Sequence, residues 1–571
     1  SMYHCSLGEA LSAMIPGGRR DSTMPVFPHD EESPGGDIDI TEAQKRAIEQ
    51  ITGSSPGFHY LFGVTGSGKT EVFLQCAERV IAAGRAVIYL VPEITLTHQL
   101  AEEVSSRFRG RVAILHSALT PSQRLTEWMK IRRGEVSIAI GARSAIFAPF
   151  ADIGLVIIDE EHENSYKSGS APRYHARQVA MKRAAADGAA LVMGSATPSL
   201  EAWHLMQQGR ITRLVLPERV SGGKLPEIEV VDIAGEEHAI SPRLEAEMRQ
   251  VLGRGRQVIL FLNRRGFSYF FHCRSCGYEM QCEHCSVSMT FHKARNIMVC
   301  HYCGHHRRPV SVCPECGSLD VGYSGFGTEL VEAEVAGLFP DRRIARLDTD
   351  SARKKDAVRD TLQRFRSGEL DILLGTQMVA KGLNFPGVDL VGVVSADSAL
   401  HLPDFRAQER TFGLIMQVAG RSGRFSDNGR VVVQTYRPEN RAVRLASTGD
   451  IEEFYREELE VRKVTRFPPF TRLGRFVFRS GSLEAVRQQA GSAADLLNDI
   501  IAAVCEEADW VELLGPVECP IARISGKWRW QLILRSESLT VLHRITTLFH
   551  RKFSSVYNVY VEIDIDPVSM L

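Results

Sequence analysis

From about Ile40 onward, short and wholly apolar runs alternate with longer stretches in which apolar positions recur every third or fourth residue. The runs "HYLFGV", "AVIYLVP", "VSIAIG", "LVIIDE" and "ALVMGSA" are of strand length and have no polar face. Between them lie amphipathic helical stretches such as "EVFLQCAERVIAAG". Parallel strands need helical crossovers and are buried on both sides, so this alternation predicts a parallel sheet covered by helices on both faces. A second set, "RQVILFLN", "RRIARLD", "LDILLGT", "DLVGVVSAD" and "GRVVVQTY", follows the same rule and predicts a second, similar α/β lobe.

A final block holds "EELEVRKVTRFPPFTRLGRFVFRS" and ends on the alternating "SVYNVYVEIDIDP", which predicts a smaller α+β domain. Residues 17–38 are rich in Gly, Pro, Ser and acid without periodicity and read as a flexible linker. The expected organisation is an N-terminal remnant and linker over 1–38, lobe 1 over 39–217, lobe 2 over 218–440 and the last domain over 441–571. A cysteine-rich insertion at about 272–318 interrupts lobe 2 after its first strand.

A chain of 571 residues, 44% of them hydrophobic, is too long for one core, in keeping with several domains. No stretch reaches the roughly 18 uncharged apolar residues of a membrane span, and the N-terminus lacks a secretory layout, so no membrane association and a cytoplasmic location are expected. Ser1-Met2 reads as a residue left by tag removal ahead of a cloned start. The net charge is −1, with 68 Lys plus Arg against 69 Asp plus Glu, so contact with nucleic acid must come from local basic patches.

"GVTGSGKT", spanning Gly63, Val64, Thr65, Gly66, Ser67, Gly68, Lys69 and Thr70, follows a strand-like run and precedes a helix. In that setting backbone N–H groups and the helix N-terminus cradle phosphates, Lys69 reaches the β and γ oxygens, and the Thr70 hydroxyl ligates Mg²⁺. "LVIIDEEH" sets Asp159 and Glu160 at the end of an apolar strand about 90 residues later. There Asp159 can hold Mg²⁺ through water and Glu160 can polarise an attacking water as general base.

Twelve cysteines without an export signal argue for reduced thiols, and eight of them form four C-x-x-C pairs: Cys273/Cys276, Cys282/Cys285, Cys300/Cys303 and Cys313/Cys316. A C-x-x-C pair brings two thiolates to one tetrahedral ion at about 2.3 Å, so four pairs suit two closed, structural Cys₄ zinc sites. A redox centre would need one reactive pair, and an iron–sulfur cluster only half of the ligands. Four pairs combine in three ways, and local spacing does not decide among them.

The phosphate loop, "DEEH", "GSATPS" (Gly194–Ser199), "GTQMVAKGLNFPGV" (Gly375–Val388) and "QVAGRSGR" (Gln417–Arg424), in that order, resemble the superfamily 2 helicases. With the cysteine insertion, "VPEITLT", "GARSAIFAPF" and "FLNRRGF", the chain from about residue 40 onward resembles the primosomal replication-restart (PriA) helicase family. The resemblance implies two RecA-like P-loop lobes, ATP bound with Mg²⁺, and 3′-to-5′ translocation on forked and single-stranded DNA during replication restart. It implies arginine fingers at Arg421 and Arg424, a phosphate sensor at Gln417 and an adenine-reading Gln44. It favours nested zinc pairing: Cys273, Cys276, Cys313 and Cys316 around one ion, and Cys282, Cys285, Cys300 and Cys303 around the other. Primosome proteins and single-stranded DNA-binding protein are the partners it implies.

A translocase grips backbone phosphates near strand ends, which makes Thr95, Arg143, Ser144, Thr376 and Lys381 candidates for DNA contact. The loop after "DEEH", with Tyr166, Lys167, Arg173, Tyr174, His175 and Arg177, resembles the family's aromatic-rich loop, which stacks on bases. "ISGKWRWQLIL" adds Lys527, Trp528, Arg529 and Trp530, with Trp530 equally suited to a core. The family carries a 3′-end-binding domain and a winged helix ahead of its motor, yet only about 38 residues precede Ile40, so weaker fork recognition is expected of this chain. An ATP-switched, fork-binding scaffold is the rival reading. A duplex translocase of a restriction or remodelling system is a third, and it lacks a nuclease-like motif.

Overall fold

A computed structural model describes residues 3–18, 40–53, 56–92, 98–116, 119–220, 222, 226–236, 238–262, 271–273, 275–283, 288–292, 295–300, 303–322, 328–347, 355–375, 385–400, 402–421, 429–556 and 558–571. It forms two compact units, Tyr3–Gly222 and Gly223–Leu571.

The first unit contains β1 (Phe58–Gly63), β2 (Ala86–Leu90), β3 (Val112–Leu115), β4 (Ile138–Gly141), β5 (Ile153–Asp159), β6 (Ala190–Ser195) and β7 (Thr212–Leu216). They make one sheet in the order β3-β4-β2-β5-β6-β1-β7, with every pairing parallel. Burial on both faces is visible residue by residue. Val87 and Tyr89 of β2 enter one core cluster, while Ile88 and Leu90 enter the other. The strand order sets the C-terminal ends of β1, β6 and β5 side by side, and ligand-binding loops of open α/β sheets gather at such ends.

The second unit holds β8 (Glu227–Asp232), β9 (Gln257–Phe261), β10 (His272–Cys273), β11 (Thr290–His292), β12 (Ile297–Val299), β13 (His306–Arg307), β14 (Val321–Gly322), β15 (Ile344–Leu347), β16 (Ile372–Gly375), β17 (Val388–Val393) and β18 (Arg430–Thr435). A six-stranded parallel sheet runs β15-β16-β9-β17-β18-β8. The short strands β10 to β14 lie in the cysteine-rich insertion, which leaves the sheet after β9 and returns at β15. Then come β19 (Arg472–Ser480), β20 (Val511–Ile524), β21 (Lys527–Ser536) and β22 (Tyr560–Ile565), an antiparallel sheet ordered β20-β21-β19-β22. The helices Leu483–Val504 and Leu539–Lys552 bury their apolar faces on it.

Every strand run read in the two lobes is a strand here, and the two parallel sheets hold three more among the described residues: β3, β7 and β8. β7 and β8 lie at sheet edges; three of the five β7 residues are exposed and acidic residues interrupt β8, so no continuous apolar run forms. Because β8 precedes β9, the insertion follows the second strand of its lobe and not the first. Among the described residues no helix is long and apolar enough to cross a membrane.

The insertion shares its core with its neighbours. Met280, Cys282, Met289, Met298 and Cys300 pack in one cluster with Phe405, with Phe467, Leu473 and Ile533 beside the C-terminal sheet, and with Met570. Gly277 seats it against the chain leaving β18: at φ +70 its hydrogen faces the Tyr436 carbonyl, where a Cβ would lie 2.4 Å from the oxygen. Gly277→Ala therefore meets both backbone strain and a backbone clash, a cost of about 1–3 kcal/mol. The expected result is a lower melting temperature for the second unit and faster proteolysis of the insertion, with protection of the first unit unchanged.

Candidate functional site

The loop between β1 and the helix Lys69–Ala82 can follow its path only with glycine at key points. Gly66 and Gly68 have φ of +87 and +77, and a Cβ on Gly63 would lie 2.5 Å from Ser67 Oγ. Ser67 is 2% exposed and its hydroxyl has no hydrogen-bond partner among the described residues. A buried orphan donor in a glycine-walled loop at a helix N-terminus suits a phosphate oxygen. Lys69 Nζ donates to the loop carbonyls of Gly63 (2.8 Å) and Val64 (3.2 Å), which holds the ammonium over the cradle. Thr70 is the second residue of the helix, where its hydroxyl can serve a cation beside the phosphates.

Gln44 is buried against this loop. Its Nε2 donates to Ser67 O (3.0 Å) and its Oε1 accepts from the Thr41 N–H (2.7 Å), capping the helix Glu42–Ile51 while tying it to the phosphate loop.

β5 delivers Asp159 into a buried position, where Oδ1 accepts from the Glu160 N–H (2.9 Å) and Tyr89 OH approaches Oδ2 at 3.5 Å. Burial, then the charge of Glu160, raises its pKa to about 7 against the opposing pull of Lys69. Asp159 and Thr70 are the donors here that would hold a divalent cation. Glu160 has φ +46, a conformation that β-carbon residues adopt under strain and that recurs at functional sites.

Ser195, at the end of β6, sits between this acid and the next histidine. Its Oγ donates to Glu160 Oε2 (3.3 Å) and lies 2.7 Å from His162 Nδ1, while His162 Nε2 is 3.5 Å from Glu163. Burial by itself lowers the His162 pKa, but the bond to Glu163 and the charges of Glu163, Glu160 and Glu161 outweigh it and raise the value. Glu161 faces the other way. It accepts from Tyr60 OH (3.1 Å), from the Ser199 N–H (3.2 Å) and hydroxyl (2.8 Å), and from Arg177. Both strands of bonding connect "DEEH" to "GSATPS", two motifs legible in the sequence whose mutual contact was not; the serines at the ends of "SATPS" were the available signal.

The structure changes the expected roles of the following loop. Tyr166 is 1% exposed, with its hydroxyl donating to the Leu90 and Asp159 carbonyls, and Tyr174 is 5% exposed against Phe147. Both belong to the lobe core, so neither ring is open to a base. Lys167 is buried beside Tyr3, and Arg177 is taken up by Glu161 and Ser199 Oγ (2.7 Å). Arg143 donates to the Ser165 and Lys167 carbonyls (3.1 and 3.3 Å), which makes it a brace for this loop, whereas Ser144 is exposed. Lys527 is exposed at the β20–β21 hairpin, Trp528 lies half-buried under the Arg523 guanidinium (5.2 Å), and Trp530 packs on the domain core. In the second unit Gln417 lies in the helix Ala407–Ala419 and Arg421 just beyond it. Thr95, Thr376, Lys381, Arg424 and Cys285 lie outside the described residues.

The cysteines come together in the nested arrangement. Cys273, Cys276, Cys313 and Cys316 have their sulfurs within 4.8 Å of one another, as do Cys282, Cys300 and Cys303. Cys273–Cys316 and Cys276–Cys313 are each 3.6 Å apart, and Cys282–Cys303 is 3.7 Å. A tetrahedral ion with sulfurs at about 2.3 Å has edges of about 3.8 Å, so the donors fit zinc without rearrangement. Burial, followed by the neighbouring sulfurs of Cys316, Cys313 and Cys273, raises the Cys276 pKa, a penalty that a bound cation removes.

The sequence matches four family descriptions: DEAD/DEAH box helicase over 41–204, Helicase conserved C-terminal domain over 329–426, PriA DNA helicase Cys-rich region domain over 282–308, and Primosomal protein N C-terminal domain over 463–568. A replication restart protein PriA of Treponema pallidum is 50% identical over 571 residues, covering 100% of this chain and 86% of that protein. One from Bacillus subtilis is 42% identical over 547 residues, 94% of this chain and 67% of its own length. One from Borreliella burgdorferi is 34% identical over 569 residues, 99% and 85%.

Ser195→Ala removes the bridge between Glu160 and His162 without touching the phosphate loop. ATP turnover at saturation is expected to fall about 10- to 100-fold while the ADP dissociation constant stays within about twofold, measured by steady-state ATPase and nucleotide titration.

Proposed function

The chain belongs to the replication restart protein PriA family and is an ATP-dependent DNA helicase of replication restart; within that role we propose that it moves 3′ to 5′ on single-stranded DNA at forked substrates. In this reading residues 39–217 and 218–440 are the motor lobes, with 218–222 packing back on the first unit, and 441–571 is a C-terminal domain whose core is shared with the insertion. The observation that supports the ATP-driven reading most is the Ser67 hydroxyl in its glycine cradle, without a partner among the described residues, with Lys69 held on two carbonyls.

Lys69 exchanges the Gly63 and Val64 carbonyls for the β and γ oxygens when ATP enters. Thr70 and, through water, Asp159 would hold Mg²⁺, which would supply positive charge against those oxygens. Glu160 takes the proton of a water whose oxygen bonds to the γ-phosphorus as the bond to the bridging oxygen breaks. Ser195 and His162 hold that carboxylate in its strained pose. Arg421, Arg424 and Gln417 keep the arginine-finger and phosphate-sensor roles, and Gln44 the adenine-reading role, that the family resemblance implies.

Backbone phosphates are assigned to Thr95, Ser144, Thr376 and Lys381, with Lys527 and Trp528 at the C-terminal hairpin and Arg143 acting through the loop it braces. The insertion holds two zinc ions, the second completed by Cys285, and both are structural because four thiolates leave no open position. Restart proteins that reload the replicative helicase and single-stranded DNA-binding protein are the proposed partners.

Lys69→Ala is expected to abolish DNA-stimulated ATP hydrolysis, measured with and without forked DNA; retained stimulation would overturn the motor assignment. Metal analysis should return two zinc ions per chain and one for Cys282→Ser. That variant should lose unwinding more than DNA-stimulated ATPase, and equal loss would reduce the metal to a folding role.

A further inference from the structure

The strap that leaves β7 runs back across the phosphate loop. Leu216 O accepts from the Val64 N–H (3.4 Å), and four residues later the Val220 N–H donates to Gly66 O (3.0 Å). Arg219 beneath it is 7% exposed, and the Gly222 N–H closes a turn onto Arg219 O (3.0 Å), so the strap is held by its own backbone. Gly68 shows how close the approach is. A Cβ there would lie 2.3 Å from Gln44 Nε2 and 3.1 Å from Val220 Cγ2, so the loop is pinched between the two side chains.

Gln44 is buried in this pinch, but Val220 remains 55% exposed. Single exposed valines are common on protein surfaces. This one is different in being fixed by a main-chain hydrogen bond within van der Waals reach of the glycine that opens the helix N-terminus, the point where phosphates dock. A nucleotide seated there must lead its ribose and base away from the helix, and the loop's two flanks are an amide and an isopropyl group. Apolar walls with a few polar groups are the usual setting for a flat aromatic ligand.

We propose that Val220 is a nucleotide-contacting residue: its N–H braces Gly66, and its side chain forms the apolar wall against which the nucleoside half of ATP packs. The inference rests on the reading of Gly63–Thr70 as the ATP site. It places the exit segment of the first unit in direct contact with the ligand, beyond the loop and acid motifs.

The test separates wall from brace by ligand. Titrations of the full chain with ADP and with inorganic pyrophosphate compare wild type, Val220→Ser, Val220→Ile and Lys69→Ala. A nucleoside wall predicts ADP binding weakened about 10-fold in the uncharged Val220→Ser, pyrophosphate binding within about twofold of wild type, and recovery in Val220→Ile. The KM for ATP should rise by a similar factor with kcat at saturation nearly unchanged. Equal weakening of both ligands would mean the residue only braces the loop, and no change in either would remove it from the site; both overturn the proposal. Wild type that binds neither ligand better than Lys69→Ala would overturn the nucleotide reading itself, and this inference with it.

Discussion

Four carboxylates, Asp159, Glu160, Glu161 and Glu163, crowd the end of one buried strand, and much of the first unit is arranged to make that tolerable. Like charges at such spacing in a low dielectric raise one another's pKa unless each finds a different counterpart. The chain separates them by direction. Asp159 faces Lys69, Glu160 turns through a positive φ to Ser195 and His162, and Glu161 turns to Arg177, Ser199 and Tyr60. Burial, followed by the charge of Glu160, raises Asp159 to about 7, a shift that a cation beside the phosphates would offset.

The sheet order is what allows those counterparts to converge. β6 lies between β1 and β5, so its terminal serine can span the gap between the acid motif and the next segment. Arg177 reaches Glu161 from the helix Ala176–Asp187, and the same loop buries Tyr166 under β2 and β5. A loop rich in aromatic and basic residues thus becomes core and counter-charge. Composition alone cannot distinguish that outcome from a nucleic-acid surface, since both use Tyr and Arg.

The second unit shows the corresponding effect in a metal-binding segment. Its cysteine pairs bring thiols into two clusters, while its methionines complete a core shared with Phe405, Phe467, Leu473, Ile533 and Met570. The insertion is therefore continuous with the C-terminal sheet. Arg295 pairing with Glu518 on β20 adds a charged contact at the same border. Removing metal from such a segment disturbs residues far from it in sequence, because side chains of both parts fill one packed volume.

The sequence by itself determined the two parallel sheets, the phosphate loop, the paired acids and the metal-binding character of the insertion. Each is a local pattern: a strand period, a glycine spacing, a carboxylate at a strand end, a pair of thiols two residues apart. Edge strands β7 and β8 escaped because exposed residues in the first and acidic residues in the second break the apolar run that marked the others. Only the tertiary structure decided which of the described thiols cluster, that Tyr166 and Tyr174 are core, that Ser195 joins Glu160 to His162, and that Val220 lies on Gly68. Those facts depend on contacts between residues tens of positions apart, and such contacts are set by strand order and packing, which no local spacing encodes.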